Sequence, residues 1–169
     1  MRGTYTIVLA SERPMQVQFG KAGCANLNAG YYLYTGSALG KGALSLEGRI
    51  VRHQRASKKR RWHVDYFTSQ RECRFKGAVY LISDKRLECR INQAIARRLN
   101  TRIVLPRLGA SDCKCDAHLV SICQNLTEHR LLIQLEQVYS RFGVPHVFLA
   151  GVRSADLLPT VSKRRHGKS

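Results

Sequence analysis

Residues 30–63 read GYYLYTGSALGKGALSLEGRIVRHQRASKKRRWH, and the division of this stretch into elements decides the architecture. Residues 31–34 are mostly aromatic and favour an extended strand. Gly36, Gly40 and Gly42 then punctuate a loop. Over residues 43–55, Leu46, Ile50 and the neighbouring Val51 supply an apolar stripe at helical spacing, with charge on the opposing face. Residues 55–61, RASKKRR, are too charged to be core. Strand, glycine loop, helix and basic loop in succession suit a segment that holds and orients a phosphodiester.

Towards the N-terminus, residues 3–9 (GTYTIVL) are β-branched and aromatic and predict a first strand. Residues 15–19 (MQVQF) alternate as a half-buried second strand, with Arg13-Pro14 as the turn between the two. Residues 20–30 hold Gly20, Gly23, Gly30, Asn26 and Asn28 and predict a loop.

On the other side, residues 62–67 bring aromatics back and residues 77–83 (GAVYLIS) predict a buried strand. Asp84 is the expected N-cap of a helix carrying Leu87, Ile91, Ala94, Ile95 and Leu99, with Asn100 as its stop. Residues 106–117 (PRLGASDCKCDA) are turn-rich, and 118–122 predict a strand. Residues 131–139 predict a helix that stops by Gly143, and 146–149 a last short strand. The expected organisation is one domain over residues 1–160 and a basic, flexible tail over 161–169.

The balance of 29 Lys and Arg against 11 Asp and Glu gives a net charge of +18, and the pI is near 10.3. Such an excess favours a polyanion, because neutralising phosphates releases condensed counterions. Nucleic acid is therefore the expected partner. A membrane is not, since the basic residues are dispersed and no run approaches the roughly 20 apolar residues of a span. The first residues lack a signal peptide's apolar stretch. A cytoplasmic protein with reduced cysteines is expected from six cysteines without a secretory signal.

Arg49 and His53, four residues apart, share one face of the predicted helix. A guanidinium can stabilise charge on phosphoryl oxygens while an imidazole holds a proton beside it. A solvated basic pair is the plain alternative, and Arg52 competes for the same role. Tyr5 and Tyr34 are strand tyrosines whose phenols can relay a proton near a cation, although packing is the commoner use. Glu88, between Arg86 and Arg90, can hold Mg²⁺ with the help of waters or can form an ordinary ion pair.

Gly3-Thr4-Tyr5, Tyr34-Thr35-Gly36, Arg49 with His53, and Glu88 occur in an order that resembles the GIY-YIG nuclease superfamily. YYLYTGSALG, RIVRH, WHVDY, LEC and SDCKCDAHL are similar to its branch known as domain of unknown function 123. The resemblance implies an α+β fold, with a small three-stranded antiparallel sheet, here with an added strand, flanked by helices. It further implies divalent-metal-dependent hydrolysis of nucleic-acid phosphodiesters, with Mg²⁺ or Mn²⁺ as cofactor and DNA as the favoured substrate. By position, Tyr5 becomes the general base assisted by Tyr34, Arg49 steadies the phosphate, His53 orients or deprotonates the nucleophile, Glu88 binds the metal, and His63 matches a further histidine. Two features depart from that pattern: Thr4 and Thr35 replace isoleucine, and residues 10–30 lengthen the gap between the two triplets.

Cys113, Cys115 and His118 could bind Zn²⁺, but a structural site requires a fourth ligand. A tight turn with small thiols filling space is the favoured reading. Arg52, Lys58, Lys59, Arg60 and Arg61, with Trp62 beyond, are the expected nucleic-acid contacts, and Lys163, Arg164 and Arg165 add non-specific charge. The alternative to a nuclease is a non-catalytic nucleic-acid-binding protein, such as an RNA-binding component of a ribonucleoprotein particle.

Overall fold

The computed structural model of the chain describes residues 1–151, so the tail at 161–169 lies outside the described residues. The elements run β1 (Gly3–Ser11), β2 (Met15–Gln18), β3 (Cys24–Leu27), β4 (Gly30–Ala38), α1 (Leu46–Gln54), α2 (His63–Thr68), β5 (Cys73–Ile82), α3 (Glu88–Arg98), β6 (Thr101–Ile103), β7 (Leu119–Ile122), α4 (Glu128–Tyr139) and β8 (His146–Leu149). Among the described residues this is an α+β fold with a six-stranded antiparallel sheet flanked by four helices. The strand order is β6-β7-β4-β1-β5-β8. The resemblance implies three strands with one added; this sheet has six, with β4-β1-β5 lying together in its middle.

β1 is buried along its whole length except at Ala10. A strand covered on both faces cannot alternate apolar and polar, which is why it reads as a β-branched and aromatic run. Its odd face, Tyr5, Ile7 and Leu9, packs with Leu46 and Ile50 of α1 and with Val64 and Phe67 of α2. Its even face carries Val8 into a second core with Leu33, Val79, Ile91 and Ile95, closed by Leu131 and Leu135 of α4. Thr6, also on the even face, satisfies its buried hydroxyl against Thr35 Oγ1 at 2.9 Å and Tyr139 Oη at 2.8 Å. The threonine in the middle of the Tyr34-Thr35-Gly36 triplet is thus part of a buried hydroxyl chain.

Local expectations fail at three places. β2 does not pair with β1; it pairs with β3 as a separate two-stranded ribbon, so residues 20–30 are not a simple loop. Ala25 and Leu27 of β3 alternate inward, a period-2 signal outweighed by the surrounding glycines and asparagines. Asp84 is not an N-cap; it is exposed and pairs with Arg2 at 2.9 Å, while α3 begins at Glu88. β6 was not anticipated, because three residues are too few to carry a period.

α1 begins at Leu46, three residues later than the pattern over 43–55 suggests, because the Ser45 hydroxyl caps it by accepting the Gly48 N–H at 3.1 Å. The basic loop that follows is held by Asp65, a fully buried carboxylate in α2. Its Oδ2 accepts from the N–H groups of Arg61 at 2.9 Å and Trp62 at 3.1 Å, and from Arg52 Nη2 at 2.7 Å. Burial alone would raise its pKa. The bonds from Arg61, Arg52 and Trp62 outweigh that and hold the carboxyl below its usual range. Asp65→Ala strands these donors, and a loss of about 3 kcal/mol in unfolding free energy is expected by urea denaturation. An unchanged midpoint would show that the loop is held elsewhere.

Candidate active site

A cleft of about 690 Å³ is lined by Tyr34 and Gly36 of β4, Arg49 of α1, Arg60, Arg61 and Trp62, His63 and Tyr66 of α2, and Glu88 of α3. Lys21, from the turn of the β2–β3 ribbon, and the segment around Gly109, Asp112 and His118 complete it. Residues separated by as much as 99 positions, Phe19 and His118, therefore meet at one surface because β4 and β1 are neighbours in the sheet centre and α1 packs against β1 and α3 against β4.

Tyr5 lies directly behind this surface. It stands opposite Gly36 in the β1–β4 register. A Cβ on Gly36 would come within 2.7 Å of the Tyr5 hydroxyl, so the absence of a side chain there is what lets the phenol approach the cleft floor. The Tyr5 hydroxyl forms a 2.9 Å hydrogen bond with His53 Nε2, and both residues are essentially solvent-free. Tyr34 packs against the same imidazole, its ring centre 5.8 Å away. Gly109, at φ 76°, admits the other side of the Tyr34 ring, where a Cβ would meet it at 2.8 Å.

Burial keeps both partners of the hydrogen bond neutral. It pushes the Tyr5 phenol up to about 12, against an opposing pull from the Arg49 guanidinium. Tyr34 is likewise pushed well up, first by burial and then by Tyr5. His53 is driven down to about 3 by burial and then by Lys58, against which Asp65 acts. The imidazole is therefore uncharged at neutral pH.

Arg49 is held by packing. Its guanidinium lies 4.7 Å from the centre of the Trp62 ring, and that of Arg52 lies 4.8 Å from it. Arg52 does not reach the cleft, because Asp65 and the Lys59 carbonyl take its donors. Lys58 is turned inward as well: its Nζ donates to the carbonyls of Arg52 and His53 at 3.2 and 3.3 Å, closing the C-terminal end of α1. Burial lowers it to about 8, opposed by Asp65 and reinforced by Arg52. Of the expected nucleic-acid contacts, Arg60 and Arg61 line the cleft and Lys59 is exposed outside the lining.

On the facing wall Glu88 is nearly buried. Its Oε1 accepts from Arg86 Nε at 3.1 Å, and Arg86 Nη2 donates to Asp112 at 2.6 Å. Glu88 Oε2 is buried with no hydrogen-bond partner among the described residues. Asn92, one turn on, is engaged elsewhere, donating to the Ala117 carbonyl at 2.7 Å. Behind Glu88, Cys89, Cys113, Cys115 and His118 bring one ligand atom each within 4.8 Å of one another, a set that can hold a metal ion.

The family model described as domain of unknown function DUF123 matches residues 4–141, a span that takes in every described residue of the cleft and the cysteine cluster. The chain belongs to the DUF123 family. Searches of curated proteins and of solved structures returned no match.

In this DUF123 chain, Tyr34, Arg49, His63 and Glu88 meet at one cleft, with Tyr5 and His53 behind it. Sequence reading missed Lys21, whose neighbourhood was assigned to a loop. It also missed Cys89 as a companion of the later thiols, although Leu87-Glu88-Cys89 was among the recurring motifs. No helix among the described residues is long and apolar enough to cross a membrane.

The neutral, buried His53 makes stability depend on pH. Facing it are Tyr5, Tyr34, Trp62, Lys58, Asp65, Arg49 and Arg52. The unfolded imidazole takes up a proton near 6.5, whereas the folded one resists it down to about 3. The contribution is complete above pH 6.5 and is lost as pH falls towards 3, by roughly 1 kcal/mol per unit. Denaturation series at pH 7, 6, 5 and 4 are expected to show this slope in the wild type and a flatter one in His53→Asn; parallel curves would mean that His53 is protonated in the fold.

Proposed function

We propose that the chain is a divalent-metal-dependent endonuclease of GIY-YIG type that hydrolyses nucleic-acid phosphodiester bonds, with DNA as the favoured substrate. The convergence of Tyr34, Arg49, His63 and Glu88 on one cleft, with the Tyr5–His53 pair behind Gly36, is the observation that carries this reading. The order of the Gly3-Thr4-Tyr5 and Tyr34-Thr35-Gly36 triplets supports it. So does the balance of charge at the cleft, where Lys21, Arg49, Arg60, Arg61 and Arg86 face Glu88 and Asp112.

The donor set fits Mg²⁺ or Mn²⁺. Glu88 offers a hard, buried oxygen without another partner among the described residues, and Mg²⁺ needs only one or two carboxylates because it keeps several waters. When bound, the ion polarises a phosphoryl oxygen as a Lewis acid. Arg49, held against Trp62 before substrate arrives, stabilises the charge that grows on the phosphoryl oxygens as water attacks phosphorus and the P–O bond to the leaving group breaks. Tyr5 is protonated at rest, so it does not act as a free phenolate. Hydrogen-bonded to His53 Nε2 behind Gly36, it forms a proton-holding pair under the cleft floor, in which His53 is the base and Asp65 favours its imidazolium. Arg60 and Arg61 position the flanking phosphates.

The complete burial of Tyr5 favours one second reading, binding without turnover, in which the same cleft serves an RNA-binding or DNA-binding protein. Incubation with single-stranded, duplex and branched DNA and with RNA, in Mg²⁺ or Mn²⁺ between pH 6 and 9, separates the two. Cleavage is expected, with Arg49→Ala slower by about 100-fold and Glu88→Gln inactive. Absence of any cut, or variants that cut like the wild type, would falsify the nuclease reading.

Binding is expected to weaken steeply with salt in either case. Replacing both Arg60 and Arg61 by alanine should reduce the slope of log K against log salt concentration by about 1 to 2. A salt-insensitive affinity would remove nucleic acid as the partner.

A further inference from the structure

Cys89 lies in the first turn of α3, whereas Cys113, Cys115 and His118 lie on the segment that enters β7. The tertiary fold brings them together. His118 Nε2 is 3.5 Å from Cys113 Sγ and 3.9 Å from Cys89 Sγ, and all four donor atoms fall within 4.8 Å of one another. A tetrahedral Zn²⁺ with Zn–S near 2.3 Å and Zn–N near 2.0 Å sets its donors about 3.5 to 3.8 Å apart. The donor shell is therefore close to the size that a single ion requires. A multi-iron cluster would need its ligands spread around a larger body, and Mg²⁺ or Ca²⁺ would need oxygens. The cysteines are free thiols.

The backbone that carries the ligands is braced independently. Arg107, at the left-handed φ of 63°, donates from Nη1 to the Cys115 carbonyl at 2.7 Å and from Nη2 to the Cys113 carbonyl. The His118 N–H donates to Leu108 at 2.8 Å, and Asn92 holds Ala117. Thiols that merely filled space in a turn would not call for a fourth donor from a distant helix or for an arginine clamped under the turn.

We propose that Cys89, Cys113, Cys115 and His118 bind one Zn²⁺ ion in a closed structural site that fastens the 105–118 segment to α3. The ion has four protein ligands and no open position, so its role is to hold structure. What it holds is a wall of the cleft. Gly109 of the fastened segment packs against the Tyr34 ring, and Glu88 precedes the ligand Cys89. The positive charge of Arg107 beside the turn suits a centre with three thiolates. This inference stands whether or not the cleft cuts nucleic acid, because metal content is read without any substrate.

The test is elemental analysis of the protein purified under reducing conditions without chelator. About one zinc per chain is expected, falling below about one tenth in Cys89→Ser and unchanged in Cys24→Ser and Cys123→Ser, whose thiols are exposed. Since Cys89→Ser could fail to fold, Co²⁺ is also titrated into metal-stripped wild-type protein. An end point at one equivalent, with the absorption of tetrahedral thiolate-bound cobalt and its displacement by Zn²⁺, supports the site. Hydrogen exchange is expected to accelerate across 105–118 after stripping while β1, β4 and β5 stay protected. Less than a tenth of an equivalent of zinc together with no tetrahedral cobalt spectrum, full zinc retention by a folded Cys89→Ser, or a disulfide between two of these cysteines in protein kept reduced overturns it.

Discussion

The hydrogen bond between Tyr5 Oη and His53 Nε2 joins the central strand to α1 where water does not reach. Much of the cleft depends on it. For the bond to exist without a charge, the imidazole must stay neutral, and burial ensures that it does. For the phenol to sit there at all, the residue opposite it in the sheet must have no side chain, and Gly36 meets that condition. For α1 to present Arg49 on the open side of the same bond, the helix must be fixed in rotation; Leu46 and Ile50 in the core and Trp62 against Arg49 and Arg52 fix it.

The basic character of the chain divides into two uses. Arg52, Lys58 and Arg107 donate to an internal carboxylate or to backbone carbonyls, so their charge braces the loops on either side of the cleft. Lys21, Arg60 and Arg61 line the cleft and remain available to a polyanion. A run such as Lys58-Lys59-Arg60-Arg61 looks uniform when written as letters, yet its first member faces the interior and its third and fourth face the cleft. The difference arises because Asp65 accepts from the Arg61 N–H and draws the loop back over the end of α1. Scaffold and binding surface are thus successive parts of one segment, Lys58 bracing the end of α1 and Arg60 and Arg61 lining the cleft.

The long, strongly patterned elements were legible in the sequence. β1 read as a strand because two buried faces demand β-branched and aromatic residues throughout, and α1 read as a helix because Leu46 and Ile50 recur at its period; the Ser45 cap came only with the structure. The Tyr5, Tyr34, Arg49, His53 and Glu88 set was visible as an ordered series of motifs. Asp84 misled because an aspartate ahead of an apolar helix is a common cap, yet here Arg2 holds it at the surface and the helix starts four residues later. β3 was hidden by its glycine and asparagine neighbours, and with it the ribbon that brings Lys21 to the cleft.

By itself the sequence determined which segments could be buried, since strand and helix periods are local, and it determined the chemical types available: phenols, a guanidinium, an imidazole, a carboxylate and thiols. Only the tertiary structure decided which of these meet. Cys89 lies 24 residues before Cys113, and nothing in local pattern links them until α3 is packed against the segment leading into β7. The same holds for the cleft, where Tyr34 and Glu88 share a surface and Tyr5 is withdrawn behind it. Burial is a property of the packed layers, so the lowered pKa of His53 and the raised pKa of Tyr5 follow from the fold and cannot be read from their positions in the chain.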